Sequence, residues 1–174
     1  KKMPLGKGQL RASLAVNLHR TRVRAVKLPS FIEGNDLRDE VFSREDISRL
    51  ERWRPRQRAI FQLQYNQGKL ATMLGVNYYG AVQYRHPNDP ADDVRFRAKA
   101  LTNCAVSWAF RPGLRWRMGI DNLFNVFPDD FTTAYNGTPT DRNIDFVGRF
   151  QYPWQTLQIG IDGLRAFTGI NYEF

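Results

Sequence analysis

Apolar residues recur at every second position through each long apolar stretch of this 174-residue chain, and no apolar run approaches the length of a membrane helix. Alternation throws successive side chains to opposite sides of an extended backbone, so the chain reads as antiparallel strands with one apolar face. Six strands are expected. The first, about 9–25, has Leu10, Ala12, Leu14, Val16 and Leu18 on one side and Arg11, Ser13, Asn17 and His19 on the other. The second, about 56–65, sets Ala59, Phe61, Leu63 and Tyr65 against Arg58, Ile60, Gln62 and Gln64. The third, 70–84, aligns Leu70, Leu74, Val76, Tyr78 and Val82, and the fourth, 99–110, aligns Ala100, Cys104, Val106, Trp108 and Phe110. The fifth, 114–124, opposes Leu114, Trp116, Met118 and Ile120 to Arg115, Arg117, Gly119 and Asp121. In the last, Leu164, Ala166, Thr168, Ile170, Tyr172 and Phe174 face one way and Arg165, Gly169, Asn171 and Glu173 the other.

A strand near ten residues long, apolar on one side only and ending in aromatics, has the dimensions of a transmembrane β-strand. The connections agree. Residues 66–69 and 111–113 are tight turns, whereas 26–55, 85–98 and 125–163 are long and polar, which is the short-turn, long-loop alternation of a membrane barrel. Tyr65, Trp108, Phe110 and Trp116 lie on the apolar parity close to the short turns, and so do Tyr172 and Phe174. Such rings favour a membrane interface because each is apolar yet carries, in Tyr and Trp, a polar group that needs a wet partner. The competing reading buries these rings in the core of a soluble β-sandwich.

Composition narrows the class. Hydrophobic content of 42% and mean hydropathy of −0.53 are compatible with a barrel, whose alternation dilutes hydropathy. Cys104 is the single cysteine, so no internal disulfide is possible. The opening Lys1-Lys-Met-Pro-Leu-Gly-Lys7 lacks the apolar segment of an export signal, and the expectation is a C-terminal piece of something longer. The net charge of +9 suggests nucleic acid, but no zinc spacing, RNA-binding aromatic signature or Gly-rich phosphate loop accompanies it, and no nucleic-acid partner is expected.

The basic residues instead gather toward the long loops. Arg20, Arg22 and Arg24 continue the apolar parity of the first strand and are expected at headgroup height, pairing with lipopolysaccharide phosphates. Arg56, Arg58, Arg97 and Lys99 fall on the polar parity, where they form a candidate vestibule for a small anionic nutrient or metal chelate. The alternative for these four is pairing with carboxylates, either of loop acids such as Asp89, Asp92 and Asp93 or of the plug that the resemblance given below implies. In the first long loop, Ser43-Arg-Glu-Asp46 reads as a capping box opening a short helix, with Glu45 and Arg49 spaced to pair and Pro55 ending the segment. Catalysis is not expected. His19 is six and two residues from Ser13 and Asn17 along one strand, too far for a nucleophile–base bond, and His86 stands alone in a loop. No His or Cys stands at metal-ligand spacing and no cofactor motif is present; Asp129, Asp130, Asp141 and Asp145 read as solvated loop acids, with contact to a cation as the alternative, and Asn136-Gly-Thr138 reads as an incidental sequon.

Several stretches resemble a known group. Phe42-Ser-Arg-Glu-Asp-Ile-Ser-Arg-Leu-Glu51 with Pro55, Asn77-Tyr-Tyr-Gly80, Gly119-Ile-Asp-Asn-Leu-Phe-Asn125 and the ending Ile161 to Phe174 are together similar to the C-terminal strands of TonB-dependent outer-membrane receptors; Leu164 departs from the basic or polar residue usual there. The resemblance implies the last six or so strands of a plugged barrel of about 22 strands. It implies a place in the outer membrane of a Gram-negative bacterium and TonB-coupled uptake of a scarce nutrient, most simply a ferric siderophore. It further implies that Ile170, Tyr172 and Phe174 form the signal read by the barrel-assembly machinery. An outer-membrane hydrolase or a passive porin is the alternative.

Overall fold

The computed structural model describes residues 2–33, 37–130, 151–152 and 158–173. Its main element is an antiparallel sheet of seven strands: β1 (Lys2–Leu5), β2 (Gly8–Leu18), β3 (Gln57–Gln67), β4 (Leu70–Tyr79), β7 (Lys99–Arg111), β8 (Leu114–Asp121) and β9 (Arg165–Tyr172), in that spatial order. A separate ribbon pairs β5 (Val82–Tyr84) with β6 (Val94–Phe96). Short helices α1 (Ser30–Glu33), α2 (Arg38–Val41) and α3 (Arg44–Glu51) occupy the connection between β2 and β3. No described helix is long and apolar enough to cross a membrane, which says nothing of strands.

Three tight turns lie at one end of the sheet, around Gly6, Gly68 and Gly113, each with φ between 55° and 73°. A side chain rarely tolerates that backbone, so glycine is what lets these hairpins close in two residues. The first of them was not legible from alternation: β1 is only four residues long and one of the four is Pro4. It adds a seventh strand to the six expected, and its turn falls at the same end as the other two.

Two expected strands stop early. β2 ends at Leu18, not near Ala25, because its neighbour β3 begins only after Pro55; the last rung is His19 N–H donating to Arg56 O at 3.0 Å. Without a partner the backbone beyond has no ladder to join. The third stretch breaks at Gly80, whose N–H donates to Gln57 O at 2.8 Å, and Val82 leaves the sheet to join β5. A Cβ at Gly80 would approach Gln57 O to 3.1 Å, so the close crossing favours glycine.

Val82, expected on the apolar face, is buried instead in a cluster with Trp53, Tyr84, Val94 and Phe96. Trp53 follows α3, so the helix and the ribbon together build this small core. The capping box forms as read: Asp46 N–H donates to Ser43 Oγ and Ser43 N–H to Asp46 Oδ2, at 3.3 and 3.0 Å. Arg49 reaches Glu45 at 3.0 Å and its guanidinium sits 4.7 Å from the Trp53 ring centre. Ser48, fully buried, donates Oγ–H to Gln83 O at 3.0 Å and so fixes the helix on the ribbon.

The stretch Asp121-Asn-Leu-Phe-Asn125 ends β8 rather than prolonging it to Phe124. Asn122 and Asn125 adopt φ of 54° and 51°, a left-handed backbone that asparagine tolerates better than most residues. Asn122 Oδ1 accepts from Val126 N–H, its Nδ2 donates to Val126 O, and Asn125 Oδ1 accepts from Leu164 N–H one residue before β9. This knot sets where the last strand enters the sheet.

Candidate functional site

Cross-strand register assigns every strand residue to one of two faces, since partners in an antiparallel pair point the same way. One row runs Met3, Leu10, Tyr65, Thr72, Val106, Met118, Thr168. The next runs Ala12, Leu63, Leu74, Cys104, Ile120, Ala166, and Leu14, Phe61, Val76 and Thr102 follow. Apart from Arg111, which a bulge sets opposite Leu114 at the turn itself, no charged residue falls on this face of the seven strands. The apolar face is uncovered: Leu14 is 66% exposed, Val16 58%, Leu18 71% and Ile170 67%. Among the described residues no second layer packs on these side chains, as the core of a sandwich would require.

The aromatics line the turn-proximal rows of this face. Leu70, Trp108, Trp116 and Ile170 share one row, Tyr65 lies in the row above, and Tyr172 opposes Leu114 in the row below. Two of these rings use their polar atoms within the sheet: Trp116 Nε1–H donates to Thr168 Oγ1 at 2.9 Å, and Tyr65 O–H reaches Gln67 Oε1 at 3.0 Å. Phe110 departs from the expected row. It falls within the bulge between Ala109 and Arg111, without an opposite number, and meets Trp108 edge to face at 5.4 Å. Of the expected assembly signal, Ile170 and Tyr172 stand exposed on the apolar face, while Phe174 lies outside the described residues.

Asn17, Arg58, Tyr79 and Lys99 form the last row of the polar face before the loops. Arg58 holds its guanidinium 4.9 Å from the Tyr79 ring centre. A cleft of about 700 Å3 opens here, lined by Asn17, His19, Arg54, Arg58, Tyr79 and Gln158 among others. Gln158 comes from the long final connection and is clamped by donating Nε2–H bonds to Gly80 O at 2.6 Å and Arg97 O at 3.0 Å.

The expected vestibule is thus divided. Lys99 Nζ donates to Asp129 Oδ1 at 2.7 Å, and Arg97 donates its backbone N–H to Oδ2 and its Nη2–H to Oδ1 at 2.6 and 3.1 Å. Asp129, read from sequence as a solvated loop acid, is instead 5% exposed. Burial alone would raise its carboxyl, but the hydrogen bonds from Lys99 and Arg97 outweigh it and hold the group below the usual carboxylate range. Loop-acid pairing therefore takes Arg97 and Lys99, through Asp129; of the acids expected in that role, Asp93 pairs instead with Arg44 at 3.1 Å, Asp89 caps a short turn by accepting from Ala91 N–H, and the Asp92 side chain lies outside what the structure describes. Arg56 stands before β3, apart from Arg58, and donates Nε–H to Glu51 O at 3.2 Å. Only Arg58 of the four lines the cleft of the polar face.

Arg20, Arg22 and Arg24 are exposed but follow the end of β2, so the strand parity that placed them on the apolar face does not apply. Val23 N–H donates to Glu51 Oε1 at 2.8 Å, which ties their segment to the end of α3. Among the described residues no three His, Cys, Asp or Glu side chains come together to hold a metal ion. No family model, curated protein or solved structure matches the chain.

Proposed function

We propose that the seven strands are part of a closed transmembrane barrel in the outer membrane of a Gram-negative bacterium, and that the whole protein is a TonB-dependent receptor for an anionic nutrient such as a ferric siderophore. The observation that carries this reading is the apolar face that runs from β1 to β9, charged only at Arg111 beside a turn and uncovered among the described residues. A face of this extent is what a strand sheet turned toward hydrocarbon presents, and the tight turns with their flanking aromatics supply one interface for it. Among the described residues both edges of the sheet, β1 and β9, pair on one side only. Unpaired backbone groups are not tolerated in hydrocarbon, so the barrel needs further strands. A plug, the TonB contact and recognition by the barrel-assembly machinery belong to the same proposal. Support for transport, rather than a structural role, rests on the polar cleft at the loop end with Arg58 in it.

The test is uptake by cells carrying or lacking the gene, under iron limitation, with and without a protonophore. Energy-coupled transport predicts ferric-chelate accumulation that needs both the gene and the proton gradient. Accumulation that survives the protonophore would instead describe a passive porin, and unchanged accumulation in the deletion would remove a role in this uptake.

A further inference from the structure

Arginines gather where α3 meets the β5–β6 ribbon, in a cleft that shares no lining residue with the one described above. Gln83 N–H donates to Arg52 O at 3.1 Å, and Gln83 stands opposite Arg95 in the ribbon register. Arg52, Arg56 and Arg95 consequently line one cleft of about 310 Å3, together with Ala81, Val82 and Gln83. Among the described residues these arginines form no ion pair within reach; Glu51, the nearby carboxylate, accepts from the Val23 backbone at 2.8 Å. The Nε–H groups of Arg52 and Arg85 are buried without a hydrogen-bond partner among the described residues. Burial first, then the charges of Arg56 and Arg85, pull the Arg52 guanidinium below its ordinary value, with Glu51 opposing.

Arg56 Nε–H is taken by Glu51 O at 3.2 Å, but three arginines lining one cleft, one of them with an unsatisfied Nε–H, are an incomplete arrangement, and an oxyanion completes it. We infer that this cleft binds a compact phosphate-type oxyanion, held by the guanidinium forks of Arg52, Arg56 and Arg95, with Arg85 adding charge. Guanidinium presents paired donors that match phosphate oxygens two at a time, which a single ammonium does not. The cleft is small and polar, suited to a phosphoryl group rather than a large chelate. That group is carried by soluble phosphate esters and by phosphorylated lipid headgroups alike. The inference rests on the arginines alone and holds whether or not the sheet belongs to a transporter.

The test uses the full chain folded in a neutral detergent. Sodium pyrophosphate is titrated at low salt by calorimetry, and in a parallel arm the detergent micelles carry dioleoyl phosphatidic acid or, as control, phosphatidylcholine. Saturable pyrophosphate binding assigns the site to a soluble anion; saturation with phosphatidic acid alone assigns it to a headgroup. Arg95→Gln, exposed and outside the buried cluster, is expected to weaken binding about tenfold, while Arg115→Gln on the sheet leaves it unchanged. Arg52→Gln with Arg56→Gln is expected to abolish saturation and, by relieving repulsion, to leave the unliganded melting temperature no lower. If that double variant fails to fold, Arg95→Gln decides. No saturable binding in either arm, or equal affinity in Arg95→Gln and the unaltered chain, would overturn the assignment.

Discussion

Asp129 ties the final long connection to the start of β7 through three donors from Arg97 and one from Lys99. Asp129→Asn is expected to destabilise by about 2 kcal/mol, since charge-assisted bonds are lost and Lys99, 15% exposed, is left without its acceptor. Denaturant unfolding in detergent measures it. Because the folded carboxyl titrates below its ordinary value of 3.8, its contribution is complete above that value and disappears as pH falls through the folded value. Acid unfolding of Asp129→Asn should therefore lose part of its steepness below about pH 4. Asn122→Ala removes two side-chain bonds to Val126 and puts a less tolerant residue at φ 54°; a loss of about 2 kcal/mol is expected by the same assay. Neither role was legible in the sequence. An aspartate in a polar loop looks the same whether solvated or buried, and its partners lie 30 and 32 residues away.

Among the elements, alternation alone placed six of the sheet's strands and the parity of their faces, because a one-residue slip would exchange apolar for polar positions along a whole strand. Strand ends were less legible. Leu18 and Gly80 end their strands because of where a neighbour starts or crosses, a tertiary fact that no local pattern carries. The cluster of Trp53, Val82, Tyr84, Val94 and Phe96 was missed for the same reason, as three-residue strands show too few alternations to read. At this scale the face assignment makes a direct prediction. Leu74→Arg, mid-strand on the apolar face, should cost about 2–4 kcal/mol in folding into lipid vesicles, while Gln62→Arg on the polar face should cost little. Equal costs at both positions would mean that the two faces meet the same surroundings.

For the whole molecule, the question is what touches the apolar face. Leu74, Cys104 and Ile120 form a row near its middle, so the one cysteine of the sequence is a reporter already in place. A nitroxide attached at Cys104 in the protein reconstituted in lipid vesicles can be relaxed by oxygen, which partitions into hydrocarbon, or by a nickel chelate, which stays in water. The account predicts strong relaxation by oxygen and almost none by the chelate. Relaxation chiefly by the chelate, or protection from both agents as in a packed protein interior, would contradict it.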